Sequence, residues 1–259
     1  QVKYEHKGSA GREVKIPLNN LKALIGSLIR LTQGLNMKKQ RTEWGAYYTF
    51  TNYTDDSFTR KKEIIGRFVR SIGPATLWDL GANNGEFTRI AARQGVDCVA
   101  FDIDPIAVDI DYLDVRSTGI PNLLPLVMDL TNPSPSIGWN NRERPGFTAR
   151  TLPDTVIALA LIHHLAISNN LPFSHIATFL HGVCTNLIIE FVPKSDSQVQ
   201  KLLESRKDIF GTYEEETFRR EFSRFFEILE AEKVSGSERT IYRMKRRIPG
   251  DAGPESAGI

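Results

Sequence analysis

Residues 77–88, Leu77-Trp-Asp-Leu-Gly-Ala-Asn-Asn-Gly-Glu-Phe-Thr88, closed by Val99-Ala-Phe-Asp102, decide the fold of this 259-residue chain. Ala75 to Leu80 is a short apolar run that stops at Asp79 and Gly81, the pattern of a buried parallel strand ending in a turn. Gly81 and Gly85 permit positive φ and a close backbone approach that a Cβ would obstruct. A helix is expected from Asn84, with Phe87, Ile90, Ala91 and Gln94 at helical spacing. Val96 to Phe101 then reads as the next strand, and Asp102 stands at its carboxyl end, 23 residues after Asp79.

Strand, glycine turn, helix and strand-end carboxylate suit two classes of ligand. A dinucleotide site needs Gly-x-Gly-x-x-Gly, with its pyrophosphate on a bare helix N-terminus. Here the glycines run Gly81-Ala-Asn-Asn-Gly85, and Asp79 stands just before them, a poor neighbour for phosphate. A third reading uses the glycines for packing alone. Asp-x-Gly-x-x-x-Gly followed by a strand-end Asp resembles motifs I and II of class I S-adenosylmethionine (SAM) methyltransferases. That ligand carries a sulfonium and an ammonium group and no phosphate, so a carboxylate at Asp79 suits it. The common middle glycine of the pattern is Asn83 here, a residue that tolerates the left-handed turn. The resemblance implies cofactor contacts from Asp79, Gly81, Asn83, Gly85, Asp102 and Ile103, with Asp129 and Leu130 beside the adenine.

The chain is long enough for one α/β domain with an appendage. Its 41% hydrophobic and 25% charged content is that of a globular protein, which excludes a wholly disordered chain. No apolar run approaches the ~20 residues of a membrane span, and no signal-peptide pattern opens the chain. Cys98 and Cys184 lie in apolar runs and read as reduced core residues of a cytoplasmic protein. The first residue is Gln1, and a fragment or processed chain is expected.

The net charge of +2 hides an asymmetry. Residues 1–75 hold 14 Lys/Arg against 6 Asp/Glu, and the remainder holds 19 against 25. A basic arm on an acidic domain suits nucleic acid, but these cations are scattered among apolar residues, so nucleic acid is not the favoured partner.

Four regions follow. Residues 1–40 read as a linker with an amphipathic helix over 18–35 (Leu21, Leu24, Ile25, Leu28, Ile29, Leu31). Residues 41–74 hold the aromatic cluster Trp44, Tyr47, Tyr48, Phe50 and Tyr53, either a lid and acceptor wall or a packed loop. They end in a helix capped by Ser57 that buries Phe58, Ile64, Ile65, Phe68 and Val69. Residues 75–247 are the α/β domain, and 248–259 form a disordered tail.

Within the domain, Asp104-Pro105 starts a helix whose acidic face (Asp104, Asp109, Asp111, Asp114) is expected in solvent. Pro121 to Met128 is a third strand ending at Asp129, whose alternative role is a plain turn. Residues 131–153 form a long Pro/Gly/Arg loop, a length that points to function or disorder. Trp139, Glu143, Arg144 and Arg150 favour an active-site loop. Asp154 to Ile162 is a fourth strand running into His163-His164, and parallel strands place their carboxyl ends at the crevice. A helix over 172–183, a strand over 185–191 with Glu190, a helix capped by Ser195, a helix over 214–226 and a hairpin over 228–244 complete the order.

Strands alternating with helices before a terminal hairpin match a class I methyltransferase: a Rossmann-like α/β fold, helices on both faces, seven mostly parallel strands, the last antiparallel. Further segments extend the resemblance: Trp44-Gly-Ala-Tyr-Tyr48 with Thr51-Asn-Tyr53, Leu126 to Trp139 with Glu143-Arg144, Leu159-Ala-Leu-Ile-His-His-Leu-Ala-Ile167, and Ile188-Ile-Glu-Phe-Val-Pro-Lys194. Together, over residues 36–247, they resemble the NoeA-type nodulation-protein family of bacterial SAM-dependent methyltransferases. Its members resemble two-part proteins, which implies an N-terminal domain upstream of this chain.

The resemblance implies SAM as methyl donor and S-adenosylhomocysteine as product. In-line displacement at an activated carbon mainly requires positioning of the acceptor, and a hydroxyl acceptor also needs a base. His163 and His164 are the candidates; His164 is preferred because residues just past a strand project over the crevice. Glu190 is a further base or acceptor ligand, and both histidines as mere pocket or core residues is the alternative. Trp44, Tyr48, Tyr53, Trp139, Glu143 and Arg144 are the candidate acceptor contacts. His175, His181 and Cys184 straddle a helix and a strand start in no ligand spacing, so no metal is expected. The Asn/Asp-Pro-Pro-Tyr signature of amine methylation is absent where Ala160 to Leu165 stand. An O-methyltransferase acting on a small molecule or glycan-like acceptor is the leading expectation. The alternatives are an RNA or protein methyltransferase, or a non-catalytic SAM-binding module.

Overall fold

The computed structural model describes residues 16–35, 55–204 and 207–248. The chain divides into two units, Gln1–Lys39 and Gln40–Ile259. In the first, helix α1 (Leu18–Gln33) follows Pro17 and closes with the Gly34 N–H on the Arg30 carbonyl at 3.1 Å. Its leucines and isoleucines recur at helical spacing, as expected.

The second unit is built on seven strands: β1 (Thr76–Leu80), β2 (Asp97–Asp102), β3 (Leu123–Val127), β4 (Thr155–Ala158), β5 (Asn186–Phe191), β6 (Phe226–Lys233) and β7 (Thr240–Arg246). They lie in the order β3-β2-β1-β4-β5-β7-β6. β7 runs antiparallel to both neighbours and the other pairings are parallel, as the alternation of strands and helices predicts.

Period-two alternation in the central strands explains the layers. Leu77, Ile157 and Ile188 point to one face, where they meet Ile64, Ile65 and Phe68 of α2 (Asp55–Ile72) and Ala91 of α3 (Thr88–Ala92). Trp78, Leu80, Val156, Ala158, Leu187 and Ile189 point to the other. There they meet Ile176 and Leu180 of α5 (Phe173–Val183) and Phe218 and Phe222 of α7 (Glu215–Ser223). Both faces are buried, so the strands read as continuous apolar runs. Helix α4 (Pro105–Thr118) follows β2, and α6 (Ser197–Glu204) follows β5.

The amino ends of β1 and β4 are clasped. Asp154 Oδ2 accepts from the Ala75 and Thr76 N–H groups at 2.9 and 3.0 Å, and the Asp154 N–H donates to Thr76 Oγ1 at 2.9 Å. At the carboxyl ends β1 and β4 lie side by side while β2 and β5 continue outward, which makes the crevice where the strand order reverses.

Several boundaries differ from the expectation. Helix α3 begins at Thr88 and not at Asn84, because Asn83 (φ 52°) and Gly85 (φ 75°) hold left-handed backbone that no helix can contain. Strand β4 stops at Ala158 and not at Ile162, since Ala160 turns to φ 48°. Helix α2 starts at Asp55, so Ser57 lies inside it, buried. Asp196, not Ser195, caps α6, with Oδ1 accepting from the Gln198 N–H at 2.9 Å. The acidic face of α4 is only partly solvated. Asp104 is buried as the helix cap, accepting from the Ile106 N–H at 2.8 Å, and Asp111 is buried against Arg89 Nη1 at 2.6 Å.

The 131–153 loop is ordered by two short 3-10 turns, Trp139–Asn141 and Phe147–Ala149, and an antiparallel bridge between Ile137 and Arg144. Phe147 anchors it, stacked on Trp78 at 4.8 Å and edge-on to Phe101 at 5.5 Å. Both cysteines are buried free thiols. Among the described residues no helix is long and apolar enough to cross a membrane.

Candidate active site

The crevice at the carboxyl ends of β1, β2 and β4 holds a cavity of about 340 Å³. The glycine turn forms its base. The Gly81 and Ala82 N–H groups both donate to the Phe101 carbonyl at 2.9 Å, tying the turn to the end of β2. Gly81 (φ 76°) faces Leu161, whose side chain would sit 3.1 Å from any added Cβ. A larger residue would therefore strain both sides of the crevice.

Three carboxylates line this cavity: Asp79, Asp102 and Asp129. Asp102 is fixed by backbone, with Oδ2 accepting from the Asn83 N–H at 2.7 Å and Oδ1 from the Asp104 N–H at 2.8 Å. A carboxylate has about four lone-pair sites, so acceptor capacity remains for a hydroxyl donor. Asp79 is buried and accepts from Thr88 Oγ1 at 2.6 Å. Burial, helped by the negative charges of Asp111 and Asp102, pushes its carboxyl up to about 7. Asp129 accepts from the Thr131 hydroxyl at 2.7 Å and N–H at 2.8 Å, which hold its carboxyl below the usual range. Ile103, Leu130, Phe101 and Met128 supply apolar walls.

His164 also lines the cavity, on a single π-helical turn (His164–Ser168), a distortion that often marks functional sites. Burial and the nearby Arg239 charge push its imidazole down to about 4, so it stands neutral at pH 7. His163 does not reach the cavity. Its ring lies 4.1 Å from that of His164, is fully buried, and neither nitrogen has a hydrogen-bond partner among the described residues. Burial holds it well below the ordinary histidine value.

Glu190 is likewise outside the cavity lining, with 0% exposure. Lys61 Nζ donates to its Oε2 at 2.7 Å, the Ala160 N–H donates to the same oxygen at 2.7 Å, and Arg239 stands 4.0 Å from Oε1. Burial alone would raise its carboxyl, but Lys61 and Arg239 outweigh it and hold Glu190 ionised. The residue thus pins α2, the β4 turn and the β6–β7 turn together. Arg239 in turn binds Asp196 at 2.7 and 3.0 Å.

Gly85 does not line the cavity either. A Cβ there would collide with the Asp111 carboxylate, so its bareness serves the seating of Asp111 and not a ligand. Trp139, Glu143 and Arg144 also lie away from the cavity lining. Trp139 is 86% exposed, Glu143 accepts from the Trp139 N–H at 3.0 Å, and Arg144 bridges Ile137. Trp44, Tyr48 and Tyr53 lie outside the described residues. Among the described residues no group of three or more His, Cys, Asp or Glu could hold a metal ion.

Lining residues that the sequence did not single out as site residues include Phe87, Met128, Thr131, Asn169 and the charged Lys61, 2% exposed, with Nζ 4.8 Å from the centre of the Phe87 ring. The signal was present, because Lys61 interrupts the apolar stripe Phe58, Ile65, Phe68 at helical spacing.

The fold is similar to that of solved methyltransferases at low identity. One is the N-methyltransferase NodS from Bradyrhizobium japonicum WM9, with a TM-score of 0.55, 11% identity, and 75% of this chain and 98% of that one covered. Another is magnesium protoporphyrin IX methyltransferase from Synechocystis PCC 6803 with bound S-adenosylhomocysteine, at 0.52, 14%, 87% and 100%. By sequence, the chain is 36% identical over 237 residues to nodulation protein NoeA of Rhizobium meliloti strain 1021. This is a NoeA relative with the class I methyltransferase fold. The match covers 91% of this chain and 50% of NoeA, so the chain spans half the length of that relative. No protein-family model matches it. The NoeA-like chain places Asp79, Gly81, Asn83, Asp102, Ile103, Asp129, Leu130 and His164 around one cavity.

Proposed function

We propose that this chain is a SAM-dependent methyltransferase domain that methylates a hydroxyl of a small-molecule or glycan-like acceptor. The observation that carries this reading is the charge of the cavity. Among the described residues three carboxylates line it, Lys61 is its one Lys or Arg, and Lys61 is already paired with Glu190. Such a site repels a pyrophosphate and attracts a ligand bearing cationic sulfonium and ammonium groups.

When bound, the cofactor supplies a methyl carbon already activated by its sulfonium. The residues of this chain bind and orient. Asp102 would hold the ribose diol, Asp79 would balance the positive end, Asp129 and Leu130 would border the adenine, and Ile103 with Phe101 would supply apolar wall. His164, neutral and at the cavity wall, takes the proton of the acceptor hydroxyl. Glu190 acts by holding Lys61 and the Ala160 turn, and so the floor beneath His164.

Calorimetric titration with S-adenosylhomocysteine, beside NADH and the Asp102→Ala variant, tests the reading. Micromolar binding of S-adenosylhomocysteine alone is expected, weakened by about 1–3 kcal/mol in the variant, the scale of hydrogen bonds to a charged group. Binding of NADH, or an unchanged affinity in Asp102→Ala, would sink the assignment.

A further inference from the structure

A second cavity of about 380 Å³ lies beside the first. Leu130, Thr131, Leu161, Leu165 and Asn169 line both, so the two volumes share a wall. The floor of the second is Leu80, Ala158 and Ile189, side by side on β1, β4 and β5 and each buried. Helix α5 adds Ile176, Phe179 and Leu180. Among the described residues, the polar ones of its lining are Thr131, Asn169 and His175, with no Asp, Glu, Lys or Arg. Protein interiors are close-packed, so a space of this size walled by leucine and isoleucine beside a reaction site is a feature to be explained.

We propose that this chamber receives an apolar, alkyl- or aryl-bearing portion of the acceptor while the acceptor's nucleophile lies at His164. The inference rests on the methyltransferase reading and narrows its acceptor to a molecule with one polar and one apolar part. Adjacency supports it: His164 lines the first cavity, and its chain neighbour Leu165 lines both. Chemistry supports it as well. An alkyl or aryl group gains by leaving water for such walls, whereas the hydroxyls of a wholly polar sugar would lose hydrogen bonds there.

The probes are n-octyl β-D-glucoside, kept below its micelle-forming concentration, and methyl β-D-glucoside, each titrated in the presence of S-adenosylhomocysteine. The octyl compound is expected to bind at least tenfold more tightly. Ile176→Phe and Leu171→Trp add bulk to the chamber and its neighbouring rim. Ile176→Phe is expected to abolish the preference, and Leu171→Trp is kept as the second, only partly buried site should the first variant fail to fold. Retained S-adenosylhomocysteine binding identifies a folded variant. Equal affinities for the two glucosides, or an intact preference in the filled variants that still bind S-adenosylhomocysteine, would overturn the proposal. If the unaltered chain fails to bind S-adenosylhomocysteine, the methyltransferase reading falls instead, and the acceptor role of the chamber with it.

Discussion

Lys61 of α2 and Glu190 of β5, 129 positions apart in the chain, meet as a buried ion pair at 2.7 Å. Removing one partner leaves an uncompensated buried charge, which costs about 3–5 kcal/mol. Lys61→Met is expected to lose stability on that scale in urea denaturation. The double variant Lys61→Met/Glu190→Gln should recover at least half of it, because the glutamine oxygen still accepts from Ala160. A single variant as stable as the parent would remove the pair's structural role.

If Asp79 holds the positive end of the cofactor as proposed, binding has a pH dependence of definite sign. Its carboxyl is raised to about 7 in the folded chain, so the stability it contributes is present at acid pH and is lost as pH rises from about 4 to about 7. A cationic ligand favours the ionised form, so binding below pH 7 releases a proton. Affinity should rise by up to about tenfold per pH unit towards pH 7 and level off above it. Asp79→Asn should bind more weakly and flatten the profile. Proton release, read from calorimetry in buffers of different ionisation enthalpy, checks this, and its absence at pH 6 would contradict it.

The two histidines should separate cleanly. With His164 at about 4, the basic form is complete well below neutrality, so kcat rises through about pH 4 and is flat from pH 6 to 8. His164→Ala should lower kcat by about 10²–10⁴-fold, the span of general-base catalysis. His163 has no hydrogen-bond partner among the described residues, and replacing an unsatisfied buried polar group by an apolar one is nearly neutral or stabilising. His163→Leu should therefore keep Tm and kcat. A rate limb near pH 6.5 would exclude His164 at its depressed value.

Both imidazoles are held below their ordinary value of 6.5, so their protonation opposes folding. Their contribution to stability falls as pH drops below about 6.5, opposite in sign to that of Asp79, and His163→Leu should remove the His163 part of it. Thermal melts at pH 4.5 and 7 compare the two proteins directly.

Gly85→Ala combines a positive φ with a collision against the Asp111 carboxylate. Backbone strain of this kind alone costs about 1–3 kcal/mol, and displacing Asp111 from Arg89 adds to it. A large loss of Tm is expected, larger than for Gly119→Ala, where the φ is also positive but nothing lies within 4 Å of the added Cβ.

The succession of strands and helices and the carboxylates that line the cavity were legible because they depend on local pattern: apolar runs, a glycine turn, an acid at each strand end. Asp79, Asp102, Asp129 and His164 fall where those patterns place them. Partners distant in sequence were not legible. Nothing local says that Glu190 faces Lys61 and not the crevice, or that Asp111 turns inward to Arg89. The 131–153 loop misled for the same reason: its conspicuous residue is Trp139, whereas the one that packs is Phe147.

The Asp154 clasp has a practical corollary. It joins β1 to β4 at the end of the sheet opposite the crevice, through three hydrogen bonds among residues outside the cavity lining. Heat resistance and affinity are therefore governed from opposite poles of the same two strands. Thr76→Val or Asp154→Ala should make the protein easier to melt while its ligand isotherm keeps its midpoint, which gives a handle for adjusting lifetime without retuning recognition.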